Sequence, residues 1–144
     1  MTASVPGESN PSVESRRAPA NFPRSVRLLR HADFERVYKQ GRRHFSTLMT
    51  VFYLPCPEQA SRLPGLRVGF TVGRVLGGAV QRNRMKRRLR EAVRLTRPAN
   101  APSVDMVINP KKVLLSSDFE AVVNEVRQAF VVIERKLAAA NRVV

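Results

Sequence analysis

A chain of 144 residues is long enough for one compact domain and too short for two. Its 26 Lys and Arg residues outnumber its 11 Asp and Glu residues, which gives a net charge of +15, while 43% hydrophobic residues exclude a disordered basic tail. One cysteine excludes an internal disulfide, and one cysteine with two histidines excludes the usual four-ligand zinc site.

Membrane and export signals are missing from the sequence pattern. The longest apolar run, Ala129–Ile133, is far shorter than the roughly 20 residues that a membrane span requires, and no apolar stretch near Met1 resembles a signal-peptide core. We therefore expect a cytoplasmic protein with no membrane partner. Because so large a charge excess repels itself, we also expect a polyanionic partner, and nucleic acid is the commonest of these.

The first 23 residues have the composition of a disordered N-terminal extension. Four of the ten prolines fall in residues 1–23 among Ser, Gly and Asn, with almost no large apolar residues. Such a segment buries too little surface to offset the entropy lost on ordering. The predicted folded domain therefore occupies residues 24–140, followed by a C-terminal tail at residues 141–144.

The first half of the domain predicts one helix and two strands. Apolar residues recur at helical spacing over His31–Gln40, and Gly41 is well placed to end that helix. The β-branched and aromatic residues of Phe45–Leu54 predict a single strand. Apolar and other residues alternate over Leu66–Val72, which predicts a half-buried strand.

The second half predicts a basic helix over Val80–Thr96, a strand over Val104–Ile108, and a final helix that reaches about Ala140. The sequence SDFE at residues 117–120 has the form of a capping box opening that last helix. The apolar stripes are Met85, Leu89, Ala92 and Val93 in the basic helix, and Phe119, Val122, Val123, Val126, Phe130, Ile133 and Leu137 in the last helix. The predicted fold is a small α+β domain of order αββαβα, with room for one further strand before the basic helix, in which helices pack on a mostly antiparallel sheet.

The basic helix carries the densest signal for function. Residues 82–97 contain seven Arg and one Lys against one Glu, which is a net charge of +7 and nearly half of the total in about a ninth of the chain. Like charges four residues apart on a helix disfavour each other by a few tenths of a kcal/mol, so the run indicates an external polyanion rather than a solvated surface. By spacing, Arg82, Lys86 and Arg90 share one face of this helix.

Two further features leave alternatives open. Asn83 is suited either to cap the helix or to hydrogen-bond a base edge or sugar. The spacing of Phe34 and Tyr38 favours ordinary core packing, and the alternative is a platform on which unpaired nucleotides stack. Of the two, Tyr38 is the better stacking candidate because its hydroxyl prefers a wet surface.

No catalytic site is predicted in the polypeptide. The glycines of residues 73–78 follow a strand and precede a helix, but they match neither a P-loop nor a dinucleotide fingerprint, so no nucleotide cofactor is expected. His31, His44 and Cys56 have no partners at suitable spacing, and the acidic residues show no paired spacing suited to a metal ion or to acid–base catalysis.

Several segments resemble the protein subunit of bacterial ribonuclease P. These are RVGFTVGR at residues 67–74, GGAV at 77–80 and RNRMKRRLRE at 82–91, with RLLR at 27–30, DF at 33–34 and YKQG at 38–41. The resemblance covers roughly residues 24–137. It implies an endoribonuclease of RNA and protein that removes the 5′ leader of precursor tRNA, in which the RNA component is the catalyst and holds Mg²⁺, and the protein binds no metal.

The resemblance also implies roles for individual residues. Phe34 and Tyr38 would line a cleft that receives the single-stranded leader of precursor tRNA, contrary to the packing interpretation from periodicity. It further implies that the β-α-β unit around the basic helix is left-handed, whereas such units are right-handed in about 98% of cases. The residues that would contact the catalytic RNA are Arg74, Arg82, Asn83, Arg84, Lys86, Arg87 and Arg90.

The chain departs from the family pattern at three places. Val75 stands where a second basic residue is common, Gly78 where Asn is common, and Asn109-Pro110 where an Ala-Arg pair is usual, with Lys111 and Lys112 following. Two other functional classes remain as alternatives. One is a structural RNA-binding protein such as a ribosomal protein, and the weaker one is a protein nuclease.

Overall fold

Within the part of the chain that the structure describes, three helices and four strands form an α+β fold. The computed structural model describes residues 26–28, 30–55, 65–98 and 103–143, without the side chains of 140–143. The helices are α1 (His31–Gln40), α2 (Ala79–Thr96) and α3 (Phe119–Val143), and the strands are β1 (Arg42–Phe45), β2 (Met49–Pro55), β3 (Leu66–Phe70) and β4 (Val104–Pro110). Short 3-10 turns lie at Arg74–Leu76 and Lys112–Ser116. The predicted extension at 1–23 and the residue Cys56 fall outside the described residues.

The strand predicted over Phe45–Leu54 is present but starts later, at Met49, because residues 46–48 form a turn and Phe45 ends a separate strand. β1 and β2 pair antiparallel, with Phe45 opposite Thr50. Between them, the backbone N–H and the hydroxyl of Ser46 both donate to the Met49 carbonyl, each at 3.0 Å. The turn contains no Gly, Pro, Asn or Asp, which are the residues that usually mark one. β1 is the further strand that the predicted order allowed before the basic helix.

The sheet is mixed and has the strand order β1-β2-β4-β3. The β1–β2 and β2–β4 pairs are antiparallel, whereas β3 and β4 are parallel and are connected through α2. The outer edge of β3 is covered by residues 26–28, where Leu28 N–H donates to the Val68 carbonyl at 3.0 Å. The predicted β-α-β unit is therefore present, and its left-handed sense stays a prediction.

The two faces of the sheet bury different helices. Successive strand residues point to opposite faces, and in β4 Met106 and Ile108 join the main core while Val107 packs on the other face with Val37 of α1. The main core lies under α2 and α3, whose side chains it contains. The predicted stripe of α2 is confirmed, because all four of its members have 0% exposure: Met85, Leu89, Ala92 and Val93.

The last helix buries the predicted face but begins differently. Its most buried residues include Val122, Val126, Phe130 and Ile133, while Phe119, Val123 and Leu137 are half-buried. The Ser117 hydroxyl donates to the Val113 carbonyl at 2.8 Å, within the preceding 3-10 turn, so the predicted capping box is wrong. α3 continues past Ala140 to Val143, and most of the segment predicted as a tail is helical.

The other element bounds differ from prediction by one or two residues. α2 begins one residue earlier than predicted, at Ala79, and β3 ends at Phe70 rather than Val72, although Val72 still packs in the main core. β4 extends two residues further, to Pro110. Among the helices in the described ranges, none combines the length and the apolar character needed to cross a membrane.

Candidate nucleic-acid interface

The outward side of α2 is lined by long cationic side chains. The residues Asn83, Arg84, Arg87 and Arg90 are exposed, and we call these four the α2 cationic face. They lie opposite the buried stripe because a helix turns once every 3.6 residues. Arg82 and Lys86, which share a face with Arg90 by spacing, are half-buried on the flank of the helix.

The guanidinium groups of the α2 cationic face are not neutralised by the protein's own acids. In the described part of the chain, the ion pairs involve other residues and none reaches Arg84, Arg87 or Arg90. The one acid of α2, Glu91, instead accepts a hydrogen bond from Arg94 Nε at 3.0 Å. That hydrogen bond holds the pKa of Glu91 below its ordinary value, so Glu91 remains ionised and paired. The charge on the face is thus available to an external anion.

The flanking arginines contact the backbone. Arg82 Nε donates to the Gly77 carbonyl at 3.2 Å. Arg88 Nη1 donates to the carbonyl of Ser117 at 2.7 Å and to that of Leu114 at 3.3 Å, which fastens α2 to the second 3-10 turn. Arg74 is exposed on the first 3-10 turn, directly before α2. Arg88 therefore has a structural contact, whereas Arg74 extends the cationic surface.

Asn83 does not cap the helix. The N-cap of α2 is Gly78, and Asn83 lies in the second turn with its side chain exposed. The capping alternative is therefore wrong. The contact of Asn83 with a base edge or sugar stays a prediction.

The three departures from the family pattern have different surroundings. Val75 is 87% exposed beside Arg74 and contributes no charge there. Gly78 caps α2 with an ordinary extended backbone, φ −78°. After β4, Lys111 Nζ donates to the Ser46 carbonyl at 2.8 Å and so fastens the β1–β2 turn, whereas Lys112 is exposed.

Phe34 and Tyr38 lie together on the opposite side of the sheet, under α1. The Tyr38 ring meets Phe52 of β2 edge-on, with centroids 4.8 Å apart and an interplanar angle of 82°. The Phe34 ring lies so close to Gly69 of β3 that a Cβ built there would be 2.5 Å from Cζ. Both rings are half-buried, so they pack on the sheet and still present part of their surface. We call Phe34, Tyr38 and Phe52 the aromatic cleft.

Phe52 and Arg43 were missed by the sequence reasoning. The guanidinium carbon of Arg43 lies 5.4 Å from the Phe52 ring centroid, a cation–π distance, and Arg43 is exposed. Phe45, on the same sheet face by register, is 66% exposed. Side chains alternate between the two faces along each strand, and Arg43 and Phe52 lie opposite each other on one face of the hairpin. The sequence analysis did not predict β1, so this pairing was not found.

A polar group closes one end of the aromatic cleft. The Tyr38 hydroxyl lies 3.0 Å from Asn109 Oδ1 and 2.6 Å from Thr71 Oγ1. The departure from the family pattern at Asn109 therefore falls inside the cleft, next to the aromatic ring that is the best stacking candidate.

A buried ion cluster fixes α1 on the sheet. Asp105 of β4 has 0% exposure and accepts hydrogen bonds from Arg67 Nε at 2.9 Å, Arg67 Nη2 at 2.8 Å and Arg36 Nη2 at 2.7 Å. Arg36 of α1 also binds Asp33 at 3.1 Å. Since Phe34 and Tyr38 belong to α1, this cluster helps to hold both rings against the sheet.

The two histidines lie outside the α2 cationic face and the aromatic cleft. Burial lowers the pKa of His44, and the nearby Lys136 acts in the same direction, so this imidazole is neutral at pH 7. His31 lies 3.5 Å from Glu35 on the surface of α1. Over the described residues, no group of three or more His, Cys, Asp or Glu side chains is arranged to hold a metal ion.

Comparison with known proteins gives a consistent result. A family model described as Ribonuclease P matches residues 22–134. The ribonuclease P protein component of Symbiobacterium thermophilum is 38% identical over 107 residues, covering 74% of this chain and 90% of that relative. The one from Chloroflexus aggregans is 45% identical over 84 residues, so the match spans only 58% of that relative's length.

The fold agrees with a solved structure. The RNase P protein from Thermotoga maritima superposes with a TM-score of 0.62 at 26% identity, covering 72% of this chain and 94% of that one. The family model extends over the sheet, α1, α2 and most of α3. The chain belongs to the family of bacterial ribonuclease P protein components.

Proposed function

We propose that the protein is the RNA-binding subunit of ribonuclease P and promotes 5′ maturation of tRNA in the cytoplasm. The observation that carries this proposal is the α2 cationic face, whose three guanidiniums point outward with no acidic partner in the described part of the chain. Arg is suited to this role because its planar fork binds phosphate through two hydrogen bonds.

The protein acts by binding, and the chemistry belongs to the RNA. Cationic side chains displace the counterions condensed on phosphates, which favours association without a requirement for a given base sequence. We propose that the Mg²⁺ used in hydrolysis is held by the RNA component. The carboxylates of Asp33 and Asp105 are bound to Arg36 and Arg67 and so are poor metal ligands.

The aromatic cleft supplies selectivity for precursor over mature tRNA. The partly exposed rings of Tyr38 and Phe52 stack on unpaired bases of the 5′ leader, which mature tRNA lacks. The cleft and the α2 cationic face lie on opposite faces of the sheet. One protein molecule therefore binds the catalytic RNA and the substrate leader at the same time.

Reconstitution tests the proposal. The purified protein is mixed with bacterial ribonuclease P RNA at low Mg²⁺, and cleavage of precursor tRNA is measured with each component alone and with both. We expect strong stimulation only in the mixture. No stimulation, with tight binding to ribosomal RNA alone, would support the structural RNA-binding alternative, and cleavage by the protein alone would support a protein nuclease.

Binding of the catalytic RNA should depend steeply on salt. Six of the cations on α2 and its preceding turn are predicted to contact the RNA: Arg74, Arg82, Arg84, Lys86, Arg87 and Arg90. Each phosphate that they neutralise adds roughly 0.7–0.9 to the slope of log affinity against log salt, so we expect a slope of about −4 to −5. Affinities measured by filter binding between 50 and 400 mM salt give this slope, and a value near zero contradicts phosphate recognition.

Removing one ring of the aromatic cleft should affect only substrates with a leader. Tyr38→Ala deletes a stacking surface worth about 1–3 kcal/mol, so we expect affinity of the reconstituted enzyme for precursor tRNA to fall about five- to 150-fold while affinity for mature tRNA is unchanged. His31→Ala, at an exposed position of α1, is the matched control. Equal losses for the two substrates would place the leader elsewhere.

A further inference from the structure

A row of side chains crosses the sheet at the end of the aromatic cleft. The strand register places Phe45 opposite Thr50, and Thr50 opposite Asn109, so all three point to the α1 face. Thr71 continues the row beyond β3, where its backbone N–H donates to the Ile108 carbonyl at 3.1 Å. Tyr38 of α1 reaches this row through its hydroxyl.

The hydroxyl of Tyr38 orients the Asn109 amide. A tyrosine hydroxyl has a single hydrogen to donate, and here it donates to Asn109 Oδ1 at 3.0 Å. Thr71 Oγ1 lies 2.6 Å from the same Tyr38 oxygen. With Oδ1 turned toward Tyr38, the amide Nδ2 and its two hydrogens are turned away from it.

The Nδ2 group of Asn109 is an unused donor in the cleft. Its side chain is half-buried, and among the described residues it has no hydrogen-bond acceptor. A donor left unpaired in a partly desolvated place favours a ligand that brings an acceptor. The adjoining aromatic surface of Tyr38 and Phe52 is suited to an unpaired base, and such a nucleotide carries acceptors on its base edge and its phosphate.

We propose that Asn109 is a leader-binding residue, whose amide N–H groups donate to an acceptor on the nucleotide that stacks beside Tyr38. This inference rests on the proposed function and adds a polar contact that distinguishes one leader from another. Stacking is tolerant of base identity, whereas a donor of fixed direction favours nucleotides with an acceptor in reach.

Two substitutions of Asn109 distinguish loss of the N–H donors from loss of the contact with Tyr38. Asn109→Asp keeps an oxygen that accepts from Tyr38 but replaces the N–H groups with a negatively charged acceptor. Asn109→Ala removes the amide without adding charge. In the reconstituted enzyme we expect affinity for leader-bearing tRNA to fall about three- to tenfold for Asn109→Ala, and further for Asn109→Asp, with mature tRNA bound as before.

The control is Asn124→Asp, which makes the same chemical change at an exposed position of α3. We expect it to bind both substrates like the unsubstituted protein. Thermal unfolding of all variants is followed alongside, and we expect the melting temperature of Asn109→Asp to stay within a few degrees, because the contact with Tyr38 is kept. If Asn109 had only a structural role, its substitution would lower the melting temperature. A loss of affinity for leader-bearing tRNA alone, with the melting temperature kept, therefore indicates a direct contact.

Modified leaders identify which atom accepts the hydrogen bond. Abasic nucleotides and methylphosphonate linkages are placed at one leader position at a time, and the ratio of affinities for unsubstituted and Asn109→Ala protein is measured. If an abasic nucleotide makes the two affinities equal, the acceptor is on the base edge. If a methylphosphonate linkage makes them equal, the acceptor is a phosphate oxygen.

Two results overturn the inference in distinguishable ways. If the unsubstituted protein binds leader-bearing tRNA more tightly than mature tRNA, and both Asn109 variants do so equally well, Asn109 makes no leader contact while the proposed function stands. If the unsubstituted protein binds both substrates equally, the leader site and this inference fail together.

Discussion

Replacement of Arg84, Arg87 and Arg90 by glutamine in one variant should weaken binding of ribonuclease P RNA about a hundredfold or more. Each side chain is exposed and has no acidic partner in the described part of the chain, so each loses a charge-assisted phosphate contact. The salt slope should become shallower by about two to three, because three phosphates are no longer neutralised. Filter binding over a salt series measures both quantities.

A control with the same charge change separates this effect from net charge. Arg127, Arg135 and Lys136 are exposed on α3, and glutamine at all three also lowers the net charge by three. Glutamine is a good helix former, so neither variant should disturb its helix. We expect the α3 variant to lose only the modest long-range part of the attraction. Equal weakening of the two variants would mean that RNA responds to total charge and that α2 has no special role.

Asp105→Asn should lower the free energy of unfolding by about 3–5 kcal/mol. The carboxylate is fully buried and accepts three hydrogen bonds from Arg36 and Arg67. Removal of its charge takes from Arg36 and Arg67 their fully buried acidic partner, and breaking a buried ion pair from one side costs this much. For a domain of this size, the melting temperature should fall by about 10–20 °C.

Thermal and urea unfolding measure this loss, and Asp118→Asn is the matched control. Asp118 is an exposed carboxylate directly before α3, and Asn there serves equally well at a helix start, so we expect a change within about 0.5 kcal/mol. An Asp105→Asn protein as stable as the unsubstituted one would show that the cluster around Asp105 does not hold α1 on the sheet.

Helix α2 illustrates what sequence predicts well. Its buried stripe and its charge both follow from one period of 3.6 residues, and the structure confirms the stripe without exception. Spacing places Arg82, Lys86 and Arg90 on one face, but it does not say which flank of the helix touches the rest of the protein. Arg82 bonds to the Gly77 carbonyl, and Arg88 bonds to the second 3-10 turn. Both acceptors lie outside α2, so the period of the helix does not predict these contacts.

The hairpin and the cleft show where sequence falls short. Residues 46–48 form a turn without Gly, Pro, Asn or Asp, so the predicted strand ran through the turn and β1 was not predicted. That error concealed Arg43 and Phe52, whose place in the cleft depends on the register between β1 and β2. The contact between Tyr38 and Asn109 spans 71 positions of the chain, and no local pattern specifies such a pairing.

The buried cluster was equally invisible to pattern analysis. Asp105 interrupts an apolar strand, which in sequence indicates an exposed position, yet it is completely buried. Its burial is possible only because Arg36 from α1 and Arg67 from β3 converge on it. Pairing of this kind allows a charged side chain to be buried within a strand.

Chemical footprinting of arginines tests the central claim most directly. The protein is treated with an arginine-specific dicarbonyl reagent, with and without ribonuclease P RNA, and modification at each arginine is measured by mass spectrometry. We predict that the RNA protects Arg84, Arg87 and Arg90 strongly while Arg127 and Arg135 of α3 react as in the unbound protein. Equal reactivity of the α2 arginines in the two samples, under conditions where the RNA is bound, would contradict the account.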